Sequence, residues 1–101
     1  MIPQVRVPLG DRTAEGALWE GRNPAGLPIY FLAHDHYYDR DGLYGTNDGD
    51  YWDNCERFTF FCRGALEALG ALGRDPASAW RPQLIHANDW QTGLVPVYLR
   101  T

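Results

Sequence analysis

Apolar and polar positions switch period along the chain, and each switch predicts an element. Val5, Val7 and Leu9 alternate weakly before the polar Gly10-Asp11-Arg12, a pattern for a short or frayed strand followed by a loop. Two strand-like runs come next, Ala17-Leu18-Trp19-Glu20 and Leu27-Pro28-Ile29-Tyr30-Phe31-Leu32. The breaker-rich stretch between them, residues 21–26, predicts a hairpin. The period then becomes helical. Phe58, Phe61, Cys62, Ala65, Leu66, Leu69 and Leu72 share one face of a helix over about residues 53–72. Asp53, followed three positions later by Glu56, resembles a capping box, and Gly70, Gly73 and Pro76 supply the stop. Residues 83–87, Gln-Leu-Ile-His-Ala, read as a short buried strand, and the chain then enters a second helix near Thr92. Pro96 is comfortable there only in a first turn or at a kink, because it lacks an amide proton.

This order, strands then a long helix, a buried strand and another helix, favours an α/β layer with a parallel sheet. A complete doubly wound sheet needs more strands than the pattern supplies, so the 101 residues read as a single incomplete segment of a domain. An interrupted parallel sheet leaves a strand edge and helix faces uncovered, which predicts marginal stability, self-association, or both.

Residues 34–54 interrupt the pattern with six aspartates, one arginine and five tyrosine or tryptophan side chains. A structureless stretch of this length inside a compact domain is usually either functional or wrongly assigned as loop. His34 and His36 with Asp35, Asp39 or Asp41 invite a metal reading, but no register offers the ligand spacing of an EF-hand, and the expectation is no metal. The mixture of carboxylates and aromatic faces also fits sugar hydroxyls and the apolar face of a pyranose.

Composition narrows the chemistry. All nine basic residues are arginine, so a P-loop lysine and a Schiff-base lysine are excluded. Ser78 is the sole serine, which argues against a serine hydrolase. A net charge of −4 gives no electrostatic reason to bind nucleic acid or an anionic membrane. The first residues lack the apolar core of a signal peptide and no run reaches the length of a membrane span, so a cytoplasmic location is the default. Cys55 and Cys62 lie about 10 Å apart along one helix, beyond disulfide reach.

Ligands of open α/β sheets bind beyond the carboxyl ends of strands. The predicted strand at 83–87 ends in His86, Asn88 and Asp89 at a helix start, a candidate site on geometry alone. The competing reading is that Asn88 or Asp89 only caps the helix.

Three blocks carry a family resemblance. The first is Leu27-Pro-Ile-Tyr-Phe-Leu running into Tyr37-Tyr-Asp-Arg-Asp-Gly-Leu-Tyr-Gly45; the second is Asp50-Tyr-Trp-Asp-Asn-Cys-Glu-Arg-Phe-Thr-Phe-Phe. The third is Trp80-Arg-Pro-Gln-Leu-Ile-His-Ala-Asn-Asp-Trp-Gln-Thr-Gly-Leu-Val-Pro-Val-Tyr-Leu. In order and spacing they resemble the bacterial ADP-glucose-dependent glycogen synthases and plant starch synthases, glycosyltransferase family 5. That resemblance implies a Rossmann-like layer of the N-terminal domain of a GT-B enzyme. The activity it implies is transfer of glucose from ADP-glucose to the non-reducing end of an α-1,4-glucan, with retention and with neither metal nor cofactor. It further implies that Asp89 is the aspartate of the family's His-Asp-Trp motif near the donor glucose. Tyr44 then lines the substrate cleft, His86 is the motif's first histidine, and Asn88 and Gln91 stand where many members have histidines. The family's Lys-x-Gly-Gly-Leu loop, its Thr-Val-His-Asn strand end and its C-terminal domain fall outside this segment, so the isolated chain is expected to be inactive. A free-standing glucan-binding or interaction module is the alternative from another class. A sucrose-synthase-like transferase is disfavoured by the Tyr-Asp-Arg-x-Gly-Leu-Tyr block.

Overall fold

The computed structural model describes residues 2–77 and 80–100, so Ser78, in the connector after the long helix, lies outside the described residues. Three antiparallel strands, β1 (Ile2–Leu9), β2 (Arg12–Arg22) and β3 (Pro28–Ala33), form a meander in that order. The alternation of Val5, Val7 and Leu9 is thus a full strand. Leu9 pairs with Arg12, and the predicted loop shrinks to a two-residue turn at Gly10-Asp11, where Gly10 takes φ +65°. The expected hairpin is present between β2 and β3. Asn23 ties its turn, accepting from the Leu27 amide at 2.9 Å, while Gly26 adopts φ +85°.

The long loop is more structured than its composition suggests. It holds a single helical turn, α1 (Asp35–Tyr38), and a minimal hairpin of β4 (Gly45–Thr46) and β5 (Gly49–Asp50). The long helix, α2 (Asn54–Arg74), covers the inner face of the meander. Its sheet-facing residues are Phe60, Gly64 and Ala68, a row offset from the expected apolar row, and the buried Arg57 lies ahead of them against the loop of residues 37–44. Phe60 is fully buried against Val5, Val7, Leu18 and Tyr37, and its burial is worth roughly 2–3 kcal/mol. Two glycines set the approach. A Cβ on Gly64 would stand 2.7 Å from the Leu32 side chain, and one on Gly16 would stand 2.8 Å from the Phe60 ring. The expected row splits: Cys62 and Leu72 are buried, whereas Phe61 is partly exposed. Its members Phe58, Leu66 and Leu69 face the C-terminal stretch, so α2 is apolar on two sides.

The capping box does not form. Asp53 precedes α2, but its side chain makes no cap hydrogen bond, and both Asp53 and Glu56 are taken by arginines and a tyrosine of other segments.

The largest departure concerns residues 83–87. They form no strand: the stretch has no regular secondary structure, and Leu84 is 83% exposed. A parallel strand is stabilised by a ladder with a parallel neighbour, and the sheet here is an antiparallel meander. The fold is therefore mixed α/β, with strands and helices but no parallel pair among the described residues. The expected helix near Thr92 is present as two short pieces, a 3-10 turn at Trp90–Thr92 and α3 (Val95–Tyr98), with Pro96 in the first turn of α3. No helix among the described residues is long and apolar enough to cross a membrane.

Candidate functional site

The first turn of α2 faces the loop of residues 37–44, and nearly every polar side chain at that junction crosses it. Arg40 forms a two-pronged ion pair with Asp53, at 2.7 and 2.6 Å, and also donates to the His36 carbonyl. The Asp53 side chain is fully buried. The Arg40 guanidinium holds its carboxyl below the usual range, outweighing the opposing effect of burial. Arg57, 3% exposed, donates from Nε to the Tyr37 carbonyl at 2.7 Å. The same guanidinium reaches the Leu43 carbonyl at 3.1 Å and Asn54 Oδ1 at 2.7 Å. Asn54 passes the link on, donating to the Tyr44 carbonyl at 2.8 Å.

Glu56 closes the other side. It accepts from the Tyr37 hydroxyl at 2.7 Å and pairs with Arg12 of β2, and these two bonds hold its carboxyl below the usual range. Burial, with Glu56 second, pushes the Tyr37 hydroxyl up to about 12. Burial likewise raises the Tyr38 hydroxyl, which donates to the Arg57 carbonyl at 3.0 Å.

This anchored loop presents Tyr44, and α2 presents Phe58, to Trp90. The Tyr44 and Trp90 rings lie 5.8 Å apart, and Phe58 meets Trp90 edge-on at 5.1 Å. A cleft of about 340 Å³ opens beside them, lined by Tyr38, Arg40, Tyr44, Arg57 and Gln91 among others. Cys62 donates its thiol to the Gln91 carbonyl at 3.1 Å and so fastens the 3-10 turn to α2; burial raises that thiol.

Of the four residues singled out from the sequence, the structure brings Tyr44 next to the ring that follows Asp89. Asp89 caps the 3-10 turn, accepting from the Trp90 amide at 2.7 Å. Its backbone is unusual, with φ 66° and ψ 178°, a region that side chains other than glycine's rarely occupy. Asn88 is exposed and its carbonyl accepts from the Thr92 hydroxyl at 2.9 Å. His86 is exposed in the irregular stretch before Asp89 and is not drawn into the Tyr44–Trp90 contact. The metal reading has no support in the geometry. His34 Nδ1 accepts from the Tyr37 amide, its ring stacks on Tyr37 at 4.0 Å, and no group of three metal-ligating residues forms among the described residues. Burial, then the neighbouring His36, lowers the His34 pKa.

Sequence reasoning missed the anchors Arg40, Asp53, Asn54 and Arg57. For Arg40 the signal was present, as one arginine among six aspartates in residues 34–54.

Residues 2–101 match the starch synthase catalytic domain family. The chain belongs to that family. A glycogen synthase of Syntrophotalea carbinolica is 53% identical over 100 residues, 99% of this chain and 19% of the relative. A second, glycogen synthase 1 of Geobacter metallireducens, is 45% identical over 85 residues, 83% of this chain and 16% of the relative. The glycogen synthase of Anaeromyxobacter sp. (strain K) is 46% identical over 100 residues, 98% of this chain and 19% of the relative. This member of the starch synthase catalytic domain family thus spans less than a fifth of the length of these relatives. No solved structure matches it significantly. All four anchor residues lie inside the family match, as do Tyr44, His86, Asn88 and Asp89.

Proposed function

We propose that the chain is a segment of a retaining glucosyltransferase of glycogen or starch synthesis. The enzyme moves glucose from ADP-glucose to the non-reducing end of an α-1,4-glucan, and the segment is inactive alone. The observation that carries the reading is the family match over residues 2–101 together with glycogen synthase relatives at up to 53% identity. In this reading the chain forms part of a Rossmann-like GT-B N-terminal layer. Residues 83–87 gain a parallel neighbour there, which brings His86, Asn88 and Asp89 to a strand end. Asp89 contacts the donor glucose, and Tyr44, His86 and Asn88 line the cleft. The enzyme is cytoplasmic, and the isolated segment self-associates through its uncovered apolar surface.

A hybrid tests this. The matched 100 residues of the Syntrophotalea carbinolica glycogen synthase are replaced by this chain, and glucose incorporation into glycogen is followed with ADP-glucose as donor. The expected result is activity in the hybrid, none in the isolated chain, and loss of about a hundredfold or more in the Asp89→Ala hybrid. A well-folded hybrid that incorporates no glucose overturns the reading. The glucan-binding alternative is favoured by exposed Trp19, Trp52 and Trp90, and retardation of the isolated chain in a glycogen-containing gel is its signature.

A further inference from the structure

We propose that Arg57 is a positioning residue: its guanidinium fixes the loop that carries Tyr44, and so sets the Tyr44 side of the substrate cleft. The proposal rests on the glucosyltransferase reading for its effect on catalysis, but the loop anchoring stands on geometry alone.

Arg57 is buried in the first turns of a helix, where an unpaired guanidinium would be costly. Its bonds are distributed in a particular way. Nε reaches the Tyr37 carbonyl, at the end of α1, and Nη1 reaches the Leu43 carbonyl, one residue before Tyr44. A single planar group therefore clamps the loop near both ends of residues 37–43. The third bond, to Asn54 Oδ1, orients an amide whose nitrogen holds the Tyr44 carbonyl. That carbonyl also accepts from the Tyr51 amide at 2.9 Å, and the Tyr51 hydroxyl accepts from the Gly42 amide at 3.0 Å. The Tyr51 ring lies 5.0 Å from the Arg57 guanidinium and 4.9 Å from that of Arg40. Arg57 is thus the common node of the contacts on Leu43 and Tyr44. A lysine has a point charge and no fork, so it cannot hold Tyr37, Leu43 and Asn54 in these directions together.

Loss of the node frees the loop, and substrate binding then has to order it. The apparent affinity falls by the fraction of loop in the competent arrangement, while chemistry on the bound complex is little changed. This separates positioning from a purely structural role, which lowers the amount of active protein and leaves KM alone.

The experiment has two arms. In the 101-residue chain, amide hydrogen exchange is read at residues 42–44 and at residues 60–68 for the native chain, Arg57→Ala, Arg57→Lys and Asn54→Ala. Arg57→Ala and Arg57→Lys are expected to speed exchange at 42–44 by about tenfold or more, with residues 60–68 changed by less than about threefold. Millimolar methylguanidinium should restore Arg57→Ala. Should Arg57→Ala unfold the chain, Asn54→Ala decides: faster exchange confined to the loop supports the anchor, and unchanged exchange overturns it. In the active hybrid, Arg57→Ala is expected to raise KM for the glucan about tenfold with kcat held within about threefold. Protection at 42–44 that survives Arg57→Ala, or a lysine that serves as well as arginine, overturns the proposal. A folded hybrid without transferase activity overturns the glucosyltransferase reading instead, and leaves the exchange arm to judge the anchor.

Discussion

The meander with its helix and the stretch of residues 80–100 are held by different means. On the first side Val5, Val7, Leu18, Tyr37, Phe60 and Ala68 close a core, and polar loop contacts are completed by Arg40, Asp53 and Arg57. On the second side Val95 is the one buried residue among the described positions, and Trp90 is 60% exposed. The attachment there includes an edge-on ring contact with Phe58, a thiol hydrogen bond from Cys62, the Arg63 guanidinium 5.3 Å from the Tyr98 ring and the packing of Val95. The residues that the family resemblance marks for chemistry sit mostly on the weakly attached side. Stability and the proposed function are thus carried by different parts of the chain, joined at Tyr44 and Trp90.

Substitutions can break this contrast. Phe60→Ala should have the largest effect, a loss of about 3–5 kcal/mol in urea unfolding, because the fully enclosed ring leaves a cavity between glycine-tight surfaces. A loss no larger than that of an exposed residue would mean the core is not formed.

Asp53→Asn comes next, at about 2 kcal/mol near neutral pH, since it strips the charge from a two-pronged buried pair. The pH dependence has a definite sign. Asp53 and Glu56 both ionise below the usual carboxylate range in the folded chain. Their contribution is present in full above about pH 4, the unfolded value, and is lost as pH falls through the lower folded values. Unfolding midpoints measured across the acid range should therefore drop steeply in the native chain and less steeply in Asp53→Asn.

At position 89 the contrast sharpens on a smaller scale. Asp89→Gly should be more stable than Asp89→Ala by about 1 kcal/mol, because only glycine relaxes at φ 66°. Equal melting temperatures for the two variants would show that the backbone there is not held in this arrangement. Trp90→Ala should cost least, under about 1 kcal/mol, since most of that ring is already in water. Urea unfolding followed by far-ultraviolet circular dichroism checks this, and a loss as large as that of Phe60→Ala would break the contrast.

Much of the first side was legible from residue order. The two strand-like runs with breakers between them marked the hairpin, and Pro76 marked the end of α2, although the helix runs through the expected stops Gly70 and Gly73. The helix face was legible only in part, because the row against the sheet runs through Gly64, which no hydrophobic count selects. The capping box failed for a similar reason. Its two carboxylates have the right spacing, but stronger partners, Arg40 and the Tyr37 hydroxyl, reach them from the loop. Residues 83–87 form no strand here because a strand depends on a neighbour that local sequence does not describe. A cap at Asn88 or Asp89 was one of two readings open at that helix start, and the left-handed backbone of Asp89 left no mark on the pattern.

Gly16 and Gly64 carry a consequence for how the chain tolerates change. Neither offers a side chain, yet one admits the Phe60 ring and the other seats α2 on Leu32. In a saturation scan scored by folding, both positions should reject even alanine, while several of the large exposed aromatics accept broad replacement. The most restrictive letters in this stretch would then be the two that contribute the fewest atoms.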